Sequence, residues 1–319
     1  MIPTDLDVLS FGEALVDFFP DKPGLPLTEC DVFHRHLGGA PCNVAVALAR
    51  QGTRVGLMTL VGPDDFGTFV RSRLEAEGID VRGVGVHRTA KTGVTFVAVG
   101  PQGERSFLFF RHPSADQMIA DHDVEEELVV RARILHVGSS TLAREPSRAA
   151  TFKAIDCAKR AGRLVSSDPN WRQHLWADPR EAPEMLKRLL QACDIVKISD
   201  DELKPLVGTT DVEAAARELH ALGVALPVIT LGARGCYFHM GEKANGWVPG
   251  ERVPVVDTTG AGDAIMAGLL SSLVPTLAGG KSLRQLTVEQ VTRACARGNE
   301  LGALAVTRLG ATSALPRGR

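Results

Sequence analysis

The segment Asp257-Thr258-Thr259-Gly260-Ala261-Gly262-Asp263 sets three small residues ahead of a helical pattern and a carboxylate just beyond them. A helix N-terminus carries unpaired backbone N–H groups and a partial positive charge, and small residues at 260–262 let a phosphate approach them closely. Asp263, one residue into the helical pattern, then stands where a base could take the proton of a hydroxyl attacking that phosphate. The same residues also read as a strand-to-helix turn that uses glycine for its backbone angles, with Asp263 an ordinary first-turn carboxylate. On this segment alone both readings stay open.

Other polar groups fall at the ends of expected strands, where open α/β sheets bind ligands. Gly38-Gly39-Ala40-Pro41-Cys42-Asn43 opens a helix, and Asp168-Pro169-Asn170-Trp171-Arg172 follows a strand near Leu164. Ser199-Asp200-Asp201-Glu202 follows a strand near Ile195, and Thr230-Leu231-Gly232-Ala233-Arg234-Gly235 ends one near Val228. Each has a structural reading too: Asp168 and Ser199 as helix caps or turn formers, Gly232 and Gly235 as hairpin glycines.

Three nucleotide or hydrolase fingerprints fail. Gly280-Lys281-Ser282 resembles the end of a P-loop, but Pro275 stands where that loop needs glycine. Gly83-Val84-Gly85-Val86-His87-Arg88 has Arg88 at the third glycine position and opens no helix, which argues against a dinucleotide turn. No Gly-x-Ser-x-Gly elbow occurs, and a hydrolase reading goes with it.

The elements that must position these residues alternate. Asp7 to Phe11, Val55 to Val61, Ile134 to Val137, Leu164 to Ser167, Ile195 to Ile198 and Val228 to Leu231 read as buried strands. Pro41 to Arg50 and Phe66 to Glu77 carry a helical period and stop before Gly52 and Gly78. A last helical stretch, Val288 to Val306, begins after Thr287 and is crossed by Gly298 and Gly302. The alternation implies an α/β fold, a mostly parallel central sheet with helices on both faces.

Two stretches break the rhythm. Residues 12–35 are rich in proline, aromatics and charge, and residues 86–112 hold two alternating β runs, Thr92 to Val99 and Ser106 to Phe110, joined by a turn at Pro101-Gln102-Gly103. They are expected to form a small β layer, either decoration at a sheet edge or a lid that excludes water. Residues 1–11, 36–85 and 113–319 would then make the α/β core.

Bulk properties narrow the partners. With 319 residues, 44% hydrophobic and 23% charged, the chain is ordinary globular protein with enough length for a core. A formal net charge of −2 offers nothing to nucleic acid or to an anionic membrane surface, so a small molecule is the expected partner. The N-terminal residues lack a secretory signal pattern, and no run of membrane-spanning length is evident. Six cysteines, at 30, 42, 157, 193, 236 and 295, form no CxxC pair, so reduced thiols in a cytoplasmic protein are expected. His34, His36, His112 and His122 lack metal-ligand spacing.

Taken together, the chain resembles the ribokinase-like (PfkB) carbohydrate kinases over nearly its whole length. Both family signatures occur in order: Gly38-Gly39-Ala40-Pro41-Cys42-Asn43-Val44-Ala45, with Gly52 and Gly62 downstream, and Asp257 to Asp263. Within the family it most resembles the fructokinases, through Gly12-Glu13-Ala14-Leu15-Val16-Asp17, Gly103-Glu104-Arg105, Arg111-His112-Pro113-Ser114-Ala115-Asp116, Asp168 to Arg172 and Val196 to Glu202. Several of these segments are shared with 2-keto-3-deoxygluconate kinases.

The resemblance implies an ATP-dependent sugar kinase, with D-fructose going to fructose 6-phosphate. The alternatives are 2-keto-3-deoxygluconate or another sugar as acceptor, or a non-catalytic sugar- or nucleotide-binding relative. It implies Asp263 as general base, with the amides of Gly260, Ala261 and Gly262 binding the transferring phosphoryl. Asp17, Gly38, Gly39, Asn43, Asp168 and Arg172 would lie at the sugar, with Arg111 reaching over it from the lid. Ser199, Glu202, Thr230, Gly232, Gly235 and Asn299 would line the nucleotide, its adenine near Asn299 and Gly310-Ala311. Glu202 would organise Mg²⁺ through water, and Asp257 and Thr259 would lie near a monovalent cation such as K⁺. Family members pair through their lids, so Phe107 to Phe110 read as a homodimer surface or as a lid packing on its own domain.

Three departures from the family pattern stand out. Ser199 replaces the asparagine of an N-x-x-E motif, as fructokinases commonly show, and Ile265 replaces a common phenylalanine. Phe109 and Phe110 stand where a tyrosine is usual, which removes a hydroxyl from the substrate's reach.

Overall fold

The computed structural model describes residues 4–22, 24–99, 105–111, 113–176, 178–242 and 244–318; the turn at Pro101-Gln102-Gly103, Glu104 and His112 lie outside them. Thirteen strands run through the described residues: β1 (Leu6–Phe11), β2 (Leu15–Pro20), β3 (Phe33–Gly38), β4 (Val55–Val61), β5 (Val84–Val86), β6 (Val94–Val99), β7 (Arg105–Phe110), β8 (Ala132–Val137), β9 (Leu164–Ser167), β10 (Ile195–Ser199), β11 (Leu226–Thr230), β12 (Cys236–His239) and β13 (Asn245–Val248).

Nine of them form one sheet in the order β13-β12-β11-β10-β9-β8-β1-β4-β5. From β11 to β5 every pairing is parallel, and β12 and β13 add an antiparallel edge. Parallel strands joined by crossovers are covered on both faces, so their residues are apolar in succession rather than in alternation. All seven residues of β4 are buried.

Successive side chains divide between two cores. Val8, Ile195 and Val228 pack with the helices Ala40–Arg50, Ala261–Ala278 and Val288–Ala305; Leu9, Val196 and Ile229 pack with Ser147–Arg160, Ala182–Ala192 and Val212–Ala221. Helix starts follow local capping chemistry. Thr287 accepts from Gln290 N at the head of Val288–Ala305, and Pro41 occupies the first turn of Ala40–Arg50.

The expected strands are all present, with ends shifted by no more than two residues. The β12–β13 hairpin at the edge was not anticipated, because its four-residue strands carry too little pattern to separate them from loop. The Gly280-Lys281-Ser282 segment follows the helix Ala261–Ala278, and Ser282 heads a short 3₁₀ turn closed by Gln285. That helix has the length and composition of a membrane span, but more than half of it is buried in the core. The six cysteines are free thiols.

The remaining strands form a second sheet in the order β3-β2-β6-β7. Asp64 anchors its foot: the carboxylate caps the helix Asp65–Ala76 through Gly67 N at 2.9 Å and accepts both the N–H and the hydroxyl of Thr92, at 2.9 and 2.8 Å, just before β6. Its outer side is aromatic, with Phe18 stacked on Phe96 at 5.0 Å and edge-on to Phe66 at 5.6 Å.

Candidate active site

A cavity of about 470 Å³ opens at the carboxyl ends of β1, β8, β9, β10 and β11, beneath the second sheet. The strand order reverses between β1 and β8, the crevice where doubly wound sheets hold ligands. Glu13 after β1 and Gly138, Ser139 and Ser140 after β8 line it there.

The second sheet contributes by its period of two. Leu15 and Asp17 on β2, Thr95 on β6, and Phe107 and Phe109 on β7 line the cavity, as does Arg111 just past β7. Asp17 pairs with Thr95 and Thr95 with Phe109 in the ladder, so one cross-strand row delivers a carboxylate, a hydroxyl and a ring. Phe109 also stacks on His174 at 5.1 Å, whereas Phe110 turns outward and is exposed. The missing tyrosine hydroxyl therefore concerns position 109.

Arg111 is buried and ion-paired with buried Asp116, which takes a second hydrogen bond from Ser114 Oγ at 2.6 Å. Burial pushes the Asp17 carboxyl up to about 7, with Thr95 and Arg111 pulling the other way. Gly38 lies directly against that carboxylate and Gly39 against the Glu13 backbone.

At the opposite wall the helix Ala261–Ala278 begins. Gly260 is its N-cap with φ of 79°, a left-handed conformation that favours glycine. Asp263 is the third helical residue, two further in than its sequence position suggested, because the helix starts at Ala261. Ala261 N makes a long turn bond to Thr258 O at 3.3 Å, while the Gly260 and Gly262 amides meet no protein acceptor among the described residues. The turn is thus open to an anion.

Asp263 is buried and lines the cavity, and its Oδ2 accepts the Asn43 side-chain amide at 2.8 Å. Burial pushes its pKa up to about 7; Asp168 adds to the rise, and Asn43 and Lys197 hold it back. Lys197 and Asp168 form a buried ion pair at 2.6 Å beneath the glycine turn. A Cβ on residue 262 would sit 2.8 Å from Lys197 Nζ, so glycine there makes room for the ammonium. Burial disfavours that ammonium, but Asp168 and Glu202 more than restore it, and its pKa is raised.

Ser199 and Glu202 close a capping box at the head of the helix Asp200–Val207, with Ser199 Oγ donating to Glu202 Oε2 at 2.8 Å. Glu202 Oε1 accepts Trp171 N at 2.7 Å. Ser199, Glu202, Thr230, Gly232 and Arg172 all line the cavity. Gly235, Gly38 and Asn299 do not. Gly235 turns the chain into β12 against the backbone of residues 248–250, and Asn299 Nδ2 donates to Val248 O and Pro249 O at 3.2 and 3.0 Å.

Asp257 does not line the cavity either. Its carboxylate accepts Thr259 N, Thr259 Oγ1 and Gly310 N at 2.9, 2.7 and 2.9 Å, which ties the glycine turn to the loop before Ala311. Among the described residues no cluster of three His, Cys, Asp or Glu is built to hold a metal by itself. Asp200, Asp201 and Glu202 nevertheless line the cavity, with Asp200 paired to Arg234 and Glu202 bonded to Ser199 and Trp171, an acidic set suited to an ion that keeps its waters and rides on phosphates.

Sequence reasoning gave no role to three groups. Lys197 is a lone cation inside the apolar run of β10, a signal that could have marked it. Glu13 accepts Ala40 N at 3.1 Å at the head of the helix Ala40–Arg50 and a hydrogen bond from Ser140 Oγ; burial raises its pKa, and Arg111 opposes the rise. Ser140 carried no signal of its own.

The model of the pfkB family of carbohydrate kinases matches residues 5–317. Fructokinase-2 of Solanum habrochaites is 38% identical over 313 residues, covering 97% of this chain and 93% of its own. The fructokinase of Vibrio cholerae O395, solved with fructose, ADP and a calcium ion, is 35% identical with a TM-score of 0.84 over 97% of this chain and 95% of its own. The Xylella fastidiosa fructokinase with bound ATP is 34% identical with a TM-score of 0.86 over 97% and 94%. A double mutant of the Vibrio enzyme holds fructose, ADP and a potassium ion, at 34% identity and a TM-score of 0.84 over 99% and 97%.

Proposed function

From the chain's membership of the pfkB family of carbohydrate kinases, we propose that it is an ATP-dependent fructokinase, transferring a phosphoryl group from ATP to the 6-hydroxyl of D-fructose. The observation that carries the reading is the buried Asp263 carboxylate at the open glycine turn, in one cavity with Asp17, Asn43 and Arg111.

Asp263 takes the proton of the attacking hydroxyl. Its raised pKa gives it basicity suited to that task near neutral pH. Asn43 aims it through the 2.8 Å hydrogen bond, and Lys197 keeps it ionisable beside Asp168. The Gly260, Ala261 and Gly262 amides meet the transferring phosphoryl, where positioning and charge stabilisation supply most of the rate. Asp17, Gly39, Arg111, Asp168 and Arg172 surround the sugar, with Gly38 shaping the Asp17 pocket. Ser199, Glu202, Thr230 and Gly232 face the nucleotide, and Gly235 and Asn299 support its far wall.

Glu202, with Asp200 and Asp201 beside it, would hold Mg²⁺ through water, and the ion would neutralise charge on the nucleotide phosphates. Asp257 and Thr259 hold the turn next to which a K⁺ ion, as in the Vibrio double mutant, would lie. The four-stranded sheet β3-β2-β6-β7 serves as a lid over the sugar; its strand β3 runs to Gly38, three residues beyond the expected boundary at 35, and Val86 belongs to the large sheet through β5. Its edge strand β7 exposes Phe107, Leu108 and Phe110, and a homodimer through that edge is part of the reading, as is a cytoplasmic setting that keeps the thiols reduced.

Coupled ADP release with a sugar panel tests it. The expected result is a kcat/KM for fructose at least about tenfold above that for 2-keto-3-deoxygluconate. A preference for the sugar acid would assign the other kinase, and no sugar-dependent ADP release would leave a binding protein.

A further inference from the structure

The sugar end of the cavity holds more acid than base. Arg111 and Asp116 neutralise one another in a buried pair, and Ser114 Oγ fixes Asp116 from the far side. That leaves Glu13 and Asp17, both buried and both lining the cavity, with Arg111 as the cation they feel; Arg172, which also lines the cavity, is exposed to solvent. Asp116 does not line the cavity; it acts through the guanidinium that does.

We propose that Asp116 is a specificity-determining residue that makes this site select uncharged sugars over sugar acids, by occupying the Arg111 guanidinium that a substrate carboxylate would need. The inference rests on the reading that the cavity takes the phosphoryl acceptor. A carboxylate brought to this end meets a guanidinium whose charge is already spent, and two acidic side chains with which it must share a desolvated space. Like charges that share a desolvated site repel one another, and rejection of the wrong ligand is built as effectively from repulsion as from attraction to the right one. A hydroxyl carries no such penalty.

The test is Asp116→Asn, which keeps the shape and the Ser114 hydrogen bond while freeing the guanidinium charge. The readout is the inhibition constant of 2-keto-3-deoxygluconate against fructose phosphorylation, taken as a ratio to the KM for fructose. The ratio should fall at least about tenfold in the variant, with KM for ATP within about twofold of the parent. A residue that merely supported the fold would weaken both ligands together and leave the ratio where it was, which overturns the proposal. If Asp116→Asn does not fold, Ser114→Ala loosens Asp116 and should lower the same ratio by a smaller factor; an unchanged ratio there overturns it as well. Failure of the kinase reading shows separately, in the unmodified enzyme, as no fructose-dependent ADP release.

Discussion

The side-chain amide of Asn43 donates to Asp263 Oδ2 at 2.8 Å, joining two helix N-termini that lie 220 residues apart in the chain. Each helix starts at a glycine N-cap, Gly39 and Gly260, and the hydrogen bond ties the two starts together through one acidic group. The base is thereby held in a fixed rotamer before any ligand arrives, which is where a positioned proton acceptor draws its efficiency.

Asp263→Asn should lower kcat by about 10²- to 10⁴-fold, the range for removal of a general base. Nucleotide affinity, measured by titration without sugar, should stay near the parent value, since the glycine turn is intact. Near-parent turnover in a coupled ADP-release assay would remove Asp263 from the mechanism.

With Asp263 titrating at about 7, kcat/KM for the sugar should rise roughly tenfold between pH 6 and pH 8 and then level off. Asp17 titrates in the same range, so the rise steepens if both must be ionised. A flat profile over that interval would contradict the assignment.

The same shift has a stability consequence. The folded pKa lies above the unfolded value of 3.8, so between 3.8 and about 7 the folded chain binds more protons than the unfolded one, and this contribution to stability is lost as pH rises through that window. Asp263→Asn removes the cost. Its melting temperature relative to the parent should be higher at pH 8 than at pH 4, and equal differences at both would refute the buried, raised carboxyl.

Lys197→Met strands Asp168 without its buried partner and should cost about 3–5 kcal/mol of stability in urea unfolding. Adding Asp168→Asn should recover much of that loss, since the neutral pair buries no uncompensated charge. Additive losses in the double variant would mean that the two groups do not sense each other.

Arg111→Ala should raise KM for the sugar far more than KM for ATP, because Arg111 lies at the end of the cavity lined by Asp17 and Phe109 rather than the end lined by Glu202 and Thr230. Equal increases would place its effect in the fold instead.

Much of the architecture was legible because it rests on local chemistry. The runs at Val55–Val61 and Ile195–Ile198 are short, largely apolar and rich in β-branched residues, which reads as buried strand, and Thr287 and Pro41 mark helix starts. The β12–β13 edge was not legible, since its two short strands depend on β11 for their pairing. Asn299, expected near the adenine by resemblance, holds the backbone at the end of β13, a contact that needs the hairpin to exist first.

The sequence alone determined that a glycine turn opens a helix beside a carboxylate, because turn geometry and helix polarity follow from neighbouring residues. Only the tertiary structure decided what that carboxylate is. Its pKa near 7 comes from burial and from Asp168 just past β9, with Asn43 and Lys197 opposing them. The pairing of Arg111 with Asp116, and the crowding of Glu13 and Asp17 beside it, likewise arise where β1 and β7 end and β2 begins. Electrostatics acts through space and scales with desolvation, so charges distant in the chain acquire their chemistry only once the fold has excluded water from between them.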